Sequence, residues 1–131
     1  MSGANYRRGA DLERAAKHHL EDNGYYVIKS AGSKGVADLV AIKGLQGIQA
    51  SETLYVQCKT DGYLLPDERV RFRQAALKSG AVPVVARWVK EGRAAREIGF
   101  RELTSMGPAG NRDWTPDYGM QSHPQAQENV Q

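Results

Sequence analysis

Apolar positions along the chain fall into two periodicities. Between Gly9 and Leu20, residues Leu12, Ala15, Ala16, His19 and Leu20 recur at i, i+3, i+4, i+7 and i+8, one stripe of an amphipathic helix. Asn23-Gly24 is a stop signal, because glycine accepts the left-handed conformation past a helix end. Residues 1–8 are small and polar and are expected to fray as a flexible N-terminus. From Tyr25 the period becomes two. The stretches 25–29, 36–42 and 53–59 read as strands, rich in β-branched and aromatic residues. A flexible turn, Ser30-Ala31-Gly32-Ser33-Lys34-Gly35, separates the first two, and Gly44 and Gly47 fall in the loop after the second. In the third, Leu54, Val56 and Cys58 alternate with Tyr55, Gln57 and Lys59, so the two sets face opposite sides of a sheet.

Farther on, Asp61 to Leu65 form a loop and Pro66-Asp67-Glu68 open a helix that runs to about Lys78. Proline suits the first turn, and acids suit the positive end of the helix dipole. Gly80 closes it. The stretch 82–89 is a strongly apolar strand, with Pro83 tolerable near its start or at an edge. One more short element is expected over 98–103. From Thr104 onward Gly, Pro, Asn and Gln dominate, which predicts a loosely ordered tail over 104–131, with Trp114 and Tyr118 as docking anchors. Helix, three strands, helix and strand in that order predict one α/β domain over 9–103: a central mixed sheet flanked by helices, in two or three layers.

Composition narrows the partners. The 131 residues are 40% hydrophobic and 25% charged, enough for one core. Eighteen basic against 15 acidic side chains give a net charge of +3, compatible with nucleic acid without demonstrating it. Cys58 is the single cysteine, which excludes an intrachain disulfide and a cysteine-built zinc site. No run approaches the ~18 apolar residues of a membrane span. Met1 to Arg8 lack the apolar core of a secretory signal, so a reducing cytoplasm is the expected compartment.

Four polar side chains then stand out. Asp38 opens a strand that is otherwise apolar, where a carboxylate costs free energy unless solvated, paired or bound to metal. Gln57 and Lys59 share a strand face, and Glu13 lies beside the helical stripe. If the second and third strands pair, Asp38, Gln57 and Lys59 meet. The carboxylates and the Gln57 amide oxygen then suit a hard divalent cation, and Lys59 suits a water or the charge developing on a phosphate. Taken singly, each has a bland reading. Asp38 serves as a cap, Gln57 and Lys59 as a solvated strand face, and Glu13 as a surface pair with Lys17 at i+4. His19 reads as a core or interface residue, Cys58 as a buried small hydrophobe, and Tyr63, Leu64 and Leu65 as core or dimer contacts. Arg69, Arg71 and Arg73 read as a solvated helix face or as phosphate contacts.

The run Gly35-Val36-Ala37-Asp38-Leu39-Val40-Ala41-Ile42, followed by Leu54-Tyr55-Val56-Gln57-Cys58-Lys59, resembles the PD-(D/E)xK nuclease signature. Within that superfamily the chain is most similar to archaeal-type Holliday-junction resolvases and small RecB-like phage nucleases. Gly9-Ala10-Asp11-Leu12-Glu13-Arg14, the Ser-Gly loop and Pro66-Asp67-Glu68 add to the likeness, which runs from about Arg8 to Phe100. The resemblance implies a restriction-endonuclease-like fold and a homodimer that binds branched, four-way DNA. It also implies magnesium-dependent cutting, with manganese as a substitute, in a prokaryotic or phage-infected cell. Carried over, Glu13 is the helix acid, Asp38 the main metal ligand and Lys59 the catalytic lysine. Ser30 or Ser33 matches the loop serine, and the Cys58 carbonyl is a further metal ligand. Arg7, Arg8, Lys29 and Lys34 are DNA contacts. The sequence departs from the pattern at Ala37, where proline is usual, and at Gln57, where an acid is usual. Three functions share these residues: a junction resolvase, a general RecB-like, flap or single-strand nuclease, and a DNA-binding module weakened in catalysis by Gln57. In either nuclease, water attacks phosphorus directly, since no Ser-His or Cys-His pair offers a covalent route.

Overall fold

Leu12, Ala16 and Leu20 become the buried face of helix α1, Ser2–Asp22, in a computed structural model that describes residues 2–30, 36–45, 51–90, 96–105 and 110–116. The helix begins well before Gly9, where a frayed terminus was expected. Nothing in residues 2–8 stops it: no proline occurs there, and a single interior glycine costs only about 1 kcal/mol. It ends as the sequence predicts, at Gly24 with φ +93°. His19 is exposed rather than core, with its ring 5.7 Å from that of Phe100. At 3.6 residues per turn it sits roughly 60° from the centre of the Leu12–Ala16–Leu20 stripe.

Six strands follow: β1 (Tyr26–Lys29), β2 (Leu39–Gly44), β3 (Ser51–Cys58), β4 (Val82–Lys90), β5 (Glu97–Leu103) and β6 (Asn111–Trp114), with helix α2 (Pro66–Lys78) between β3 and β4. They form one sheet in chain order. Every neighbouring pair is antiparallel except β3 and β4, which the α2 crossover makes parallel. The expected α/β domain with a central mixed sheet flanked by helices is what forms.

Alternation decides which helix each side chain meets. Leu39, Ala41, Leu54, Val56, Val84 and Ala86 join the α1 stripe in one core. On the opposite face Phe72 of α2 packs with Ala37, Leu64, Val85 and Leu103, and Tyr55 leans on them. The layers are therefore three: helix, sheet, helix. Neighbours Val84 and Val85 serve opposite cores, which is why β4 reads as an unbroken apolar run. Pro83 precedes Val84, where pairing with β5 begins, so its missing N–H interrupts no bond on that side.

Strand β6 was not expected; its residues lie in the stretch read as a loose tail. Only Trp114 of Asn111–Trp114 is buried, edge-on to Phe100 at 5.7 Å between ring centres, so no period-two signal marks the strand. Two arginines of α2 pin this region. Arg69, 6% exposed, donates to Asn111 Oδ1 (2.9 Å), Ser105 O (2.9 Å) and Gly110 O (2.7 Å). Arg73 donates to Leu103 O (3.1 Å) and Thr104 O (3.0 Å). Neither is a solvated face; of the three, Arg71 alone is exposed. A buried guanidinium is tolerable because its five donors can find this many acceptors. Tyr118 lies outside the described residues.

Candidate active site

Asp38 immediately precedes β2, at the end of the sheet where the chain leaves its pairing with β3. Its backbone ties three segments together. The Asp38 N–H donates to Val56 O at 2.8 Å, and its carbonyl accepts from the Ser30 N–H at 2.9 Å. Its carboxylate Oδ2 accepts the Cys58 N–H at 2.8 Å, so the side chain is aimed along the end of β3. Gln57 and Lys59 lie on either side of that N–H, on the α2 face. The Gln57 amide nitrogen donates to the Val36 carbonyl. Lys59 is fixed through its backbone, whose N–H donates to Ala86 O on β4 at 3.0 Å.

Glu13 of α1 approaches from the other face. Its partner is Lys29 at the end of β1 (3.2 Å), and Lys17 pairs instead with Glu21 (2.9 Å), so the expected Glu13–Lys17 surface pair does not form. Ser30 follows Lys29 and is half-buried. Arg7 is exposed on α1 and Arg8 is half-buried there. Ser33 and Lys34 lie outside the described residues. Cys58 is half-buried on the α1 face, packed against that core.

Burial pushes the Asp38 carboxyl above its ordinary value. The Cys58 N–H and Lys59 pull it down, while the negative fields of Glu13 and Glu68 push it up. Burial also raises the Cys58 thiol, with Asp38 and Glu13 adding to the shift, so the thiol stays protonated and unreactive. A desolvated carboxylate facing two other acids is an arrangement that a cation would relieve. All the donors near it, Asp38, Glu13, the Gln57 amide oxygen and the Cys58 carbonyl, are oxygens, the set that a hard divalent ion takes. No three His, Cys, Asp or Glu side chains converge among the described residues, so a metal here would depend on amide and carbonyl oxygens to complete its shell.

Glu68 was not recognised from the sequence as part of this site. It reads there only as an acid in the first turn of a helix, and it does fill that role: Oε1 accepts the Leu65 N–H at 3.0 Å. Its other oxygen holds Lys59 Nζ at 3.1 Å. The Leu65 N–H and Lys59 keep the Glu68 carboxyl below its ordinary value. A lysine with an acid nine residues later across a loop has no local signature; only the α2 crossover makes the pair.

Comparison with known proteins follows the same residues. The chain is 51% identical over 55 residues to the crossover junction endodeoxyribonuclease Hjc of Methanocaldococcus jannaschii, a stretch covering 42% of this chain. That stretch spans 36%, about a third, of the relative's length. A solved structure of Archaeoglobus fulgidus Hjc, a Holliday junction resolvase from an archaeal hyperthermophile, aligns with 29% identity and a TM-score of 0.48. That alignment covers 69% of this chain and 70% of the other. The family profile of the archaeal Holliday junction resolvases matches residues 4–102, which takes in α1, all of Asp38, Gln57, Lys59 and Glu68, and most of β5; the chain belongs to the archaeal Holliday junction resolvase (Hjc) family.

Proposed function

We propose that this protein is a metal-dependent endonuclease that cuts four-way DNA junctions, acting as a homodimer with magnesium. The observation that carries the reading is the meeting of Asp38, Gln57 and Lys59 where β2 and β3 part, with the Asp38 carboxylate held by the Cys58 N–H. Asp38, the Gln57 amide oxygen and the Cys58 carbonyl would hold the cation, joined by Glu13 on leaving Lys29. When bound, the cation polarises the scissile phosphate and makes water a better nucleophile. Lys59, steadied by Glu68, places a positive charge beside the phosphate oxygens as negative charge grows on them. Ser30, Lys29, Arg7 and Arg8 line the approach as strand contacts. Two such sites related by a two-fold axis would cut opposed strands of a symmetric junction.

Incubation with a synthetic four-way junction, a flap and a linear duplex in magnesium, then in manganese, tests this. Paired cuts in the junction, well ahead of the other substrates, are the expected result. Equal cutting of all three would favour a general RecB-like or flap nuclease, and binding without cutting in either metal would leave a DNA-binding module.

That last reading rests on one observation. The Gln57 amide nitrogen bonds the Val36 carbonyl, so the residue clips the segment leading into Asp38, a structural task that an acid could not perform. Gln57→Glu separates the two roles. The carboxylate cannot donate and would face the carbonyl oxygen, so the metal-free protein should lose about 1 kcal/mol of stability. If the residue is also a ligand, the magnesium concentration giving half-maximal cutting should fall severalfold. Calorimetric melting and a metal titration of the cleavage rate read the two effects independently. A variant as stable as wild type refutes the clip, and an unchanged metal requirement removes Gln57 from the metal shell.

A further inference from the structure

The loop from Thr60 to Leu65 has the Asp38–Lys59 site on one side and a separate pocket of about 300 Å³ on the other. Asp61, Tyr63, Pro66, Arg69, Arg101 and Asn111 line that pocket. Consecutive residues of α2 divide between the two: Glu68 reaches Lys59, while Arg69 lines the pocket.

The pocket is built around positive charge. Arg69 is buried and locked in place by Asn111, Ser105 and Gly110. Arg101 of β5 makes no printed ion pair with a carboxylate among the described residues; its nearest charged influence is Arg87, with which it repels. Arg87 lies beneath the loop, its Cδ so close to Gly62 that a β-carbon there would stand 2.6 Å away. The Arg87 Nε is buried with no hydrogen-bond partner among the described residues. Two carboxylates stand nearby. Asp61 Oδ1 is turned to the Tyr63 N–H (3.0 Å), and Asp113, opposite Arg101 in the β5–β6 register, draws on Arg87. Three guanidiniums against two carboxylates leave the pocket net positive.

The rim adds an aromatic. Tyr63 is 59% exposed and lines the pocket. Its loop is stiff: Gly62 adopts φ +77° and donates to Lys59 O at 2.8 Å, Asp61 accepts the Tyr63 N–H, and Leu64 is buried against Phe72. An exposed ring costs water-ordered surface for no packing gain, and here it stands beside convergent arginines. Arginine with an aromatic face is the pairing that single nucleotides use, phosphate on the guanidinium and base on the ring.

We propose that this pocket is a second nucleotide subsite. It takes one phosphodiester of the DNA strand on Arg101 and Arg69, with the adjoining base stacked on Tyr63, on the far side of the Thr60–Leu65 loop from the site of cutting. The inference rests on the reading of the protein as a DNA endonuclease. Loop and pocket are continuous with Lys59, so a strand occupying both is held on either side of the reacting phosphate, which fixes its approach.

Titration of a fluorescent four-way junction by anisotropy, in EDTA and at several salt concentrations, tests the subsite in Arg101→Gln and Tyr63→Ala. Arg101→Gln should weaken binding about tenfold and reduce the slope of log K against log salt by about 0.9, the loss of one phosphate contact. Tyr63→Ala removes a solvent-facing ring without disturbing the core. It should weaken binding about fivefold or more with the slope unchanged, because stacking releases no counterions. Wild-type affinity and slope in Arg101→Gln, in a protein whose melting curve matches wild type, overturn the phosphate site. Wild-type affinity in Tyr63→Ala overturns the stacking platform. Wild-type protein that neither binds nor cuts the junction overturns the nuclease reading itself, whereas wild type that binds and cuts alongside unaffected variants removes the pocket alone.

Discussion

Asp38→Asn should lower junction cutting by about a thousandfold, equivalent to about 4 kcal/mol of transition-state stabilisation, while junction binding stays close to wild type. The substitution is chosen for its shape. Asparagine keeps an oxygen that can accept the Cys58 N–H, and the backbone bonds of residue 38 to Val56 and Ser30 do not involve the side chain. What goes is the negative charge, and with it the strongest donor for a hard cation.

Stability should move the other way. Burial raises the Asp38 carboxyl above its value in the unfolded chain. A group raised in the folded state stabilises the fold below its unfolded value, and that contribution is lost as pH climbs through the raised one. At neutral pH without metal, the ionised Asp38 is therefore a cost that Asp38→Asn does not carry. The variant should melt at or above wild type in EDTA. Magnesium should then raise the wild-type melting temperature and leave the variant unmoved, since a ligand stabilises only the state that binds it. The same raised value makes wild-type cutting fall as pH is lowered toward it, because the protonated carboxyl releases the cation. Undiminished cutting by Asp38→Asn, or equal magnesium stabilisation of both proteins, would remove Asp38 from the metal site.

Much of this centre could be read before any coordinates. Asp38, Gln57 and Lys59 were legible because β3 alternates cleanly: Leu54 and Val56 must face a core, so Gln57 and Lys59 must face the other way. The burial of α1 was legible for the same reason, through Leu12, Ala16 and Leu20. Long-range pairings were not. Glu68 joins Lys59 only because β3 and β4 are parallel and α2 must cross back over the sheet. Lys29 takes Glu13 from Lys17 because the end of β1 lies nearer to that carboxylate than the next helical turn offers. Strand β6 carried three polar residues and one tryptophan, and its order comes from Arg69 and the Phe100 ring, two partners far away in sequence. Local period reveals faces; it is silent on which distant charge each face meets.

Lys59→Met should reduce cutting about a hundredfold or more, the size of effect expected when one preorganised positive donor to a developing phosphate charge is removed. The fold should hardly notice. Lys59 is anchored by its backbone to Ala86, and Glu68 keeps its bond to the Leu65 N–H whether or not the ammonium is present. The Lys59–Glu68 pair is about a third exposed on each side, a setting in which ion pairs contribute at most about 1 kcal/mol. Glu68→Gln is the companion variant. It retains an oxygen for Leu65 but only weakly steadies the lysine, so its rate should fall by a few-fold, within the roughly 10- to 100-fold range for groups that act through another. The order wild type, Glu68→Gln, Lys59→Met in single-turnover rate, at unchanged junction affinity, is what a positioned lysine requires. If Glu68→Gln matched Lys59→Met, the carboxylate itself would be the reacting group and the lysine its support. If both cut like wild type, the charge beside the phosphate would have to come from Lys29, the remaining described lysine that the Glu13–Asp38 neighbourhood holds.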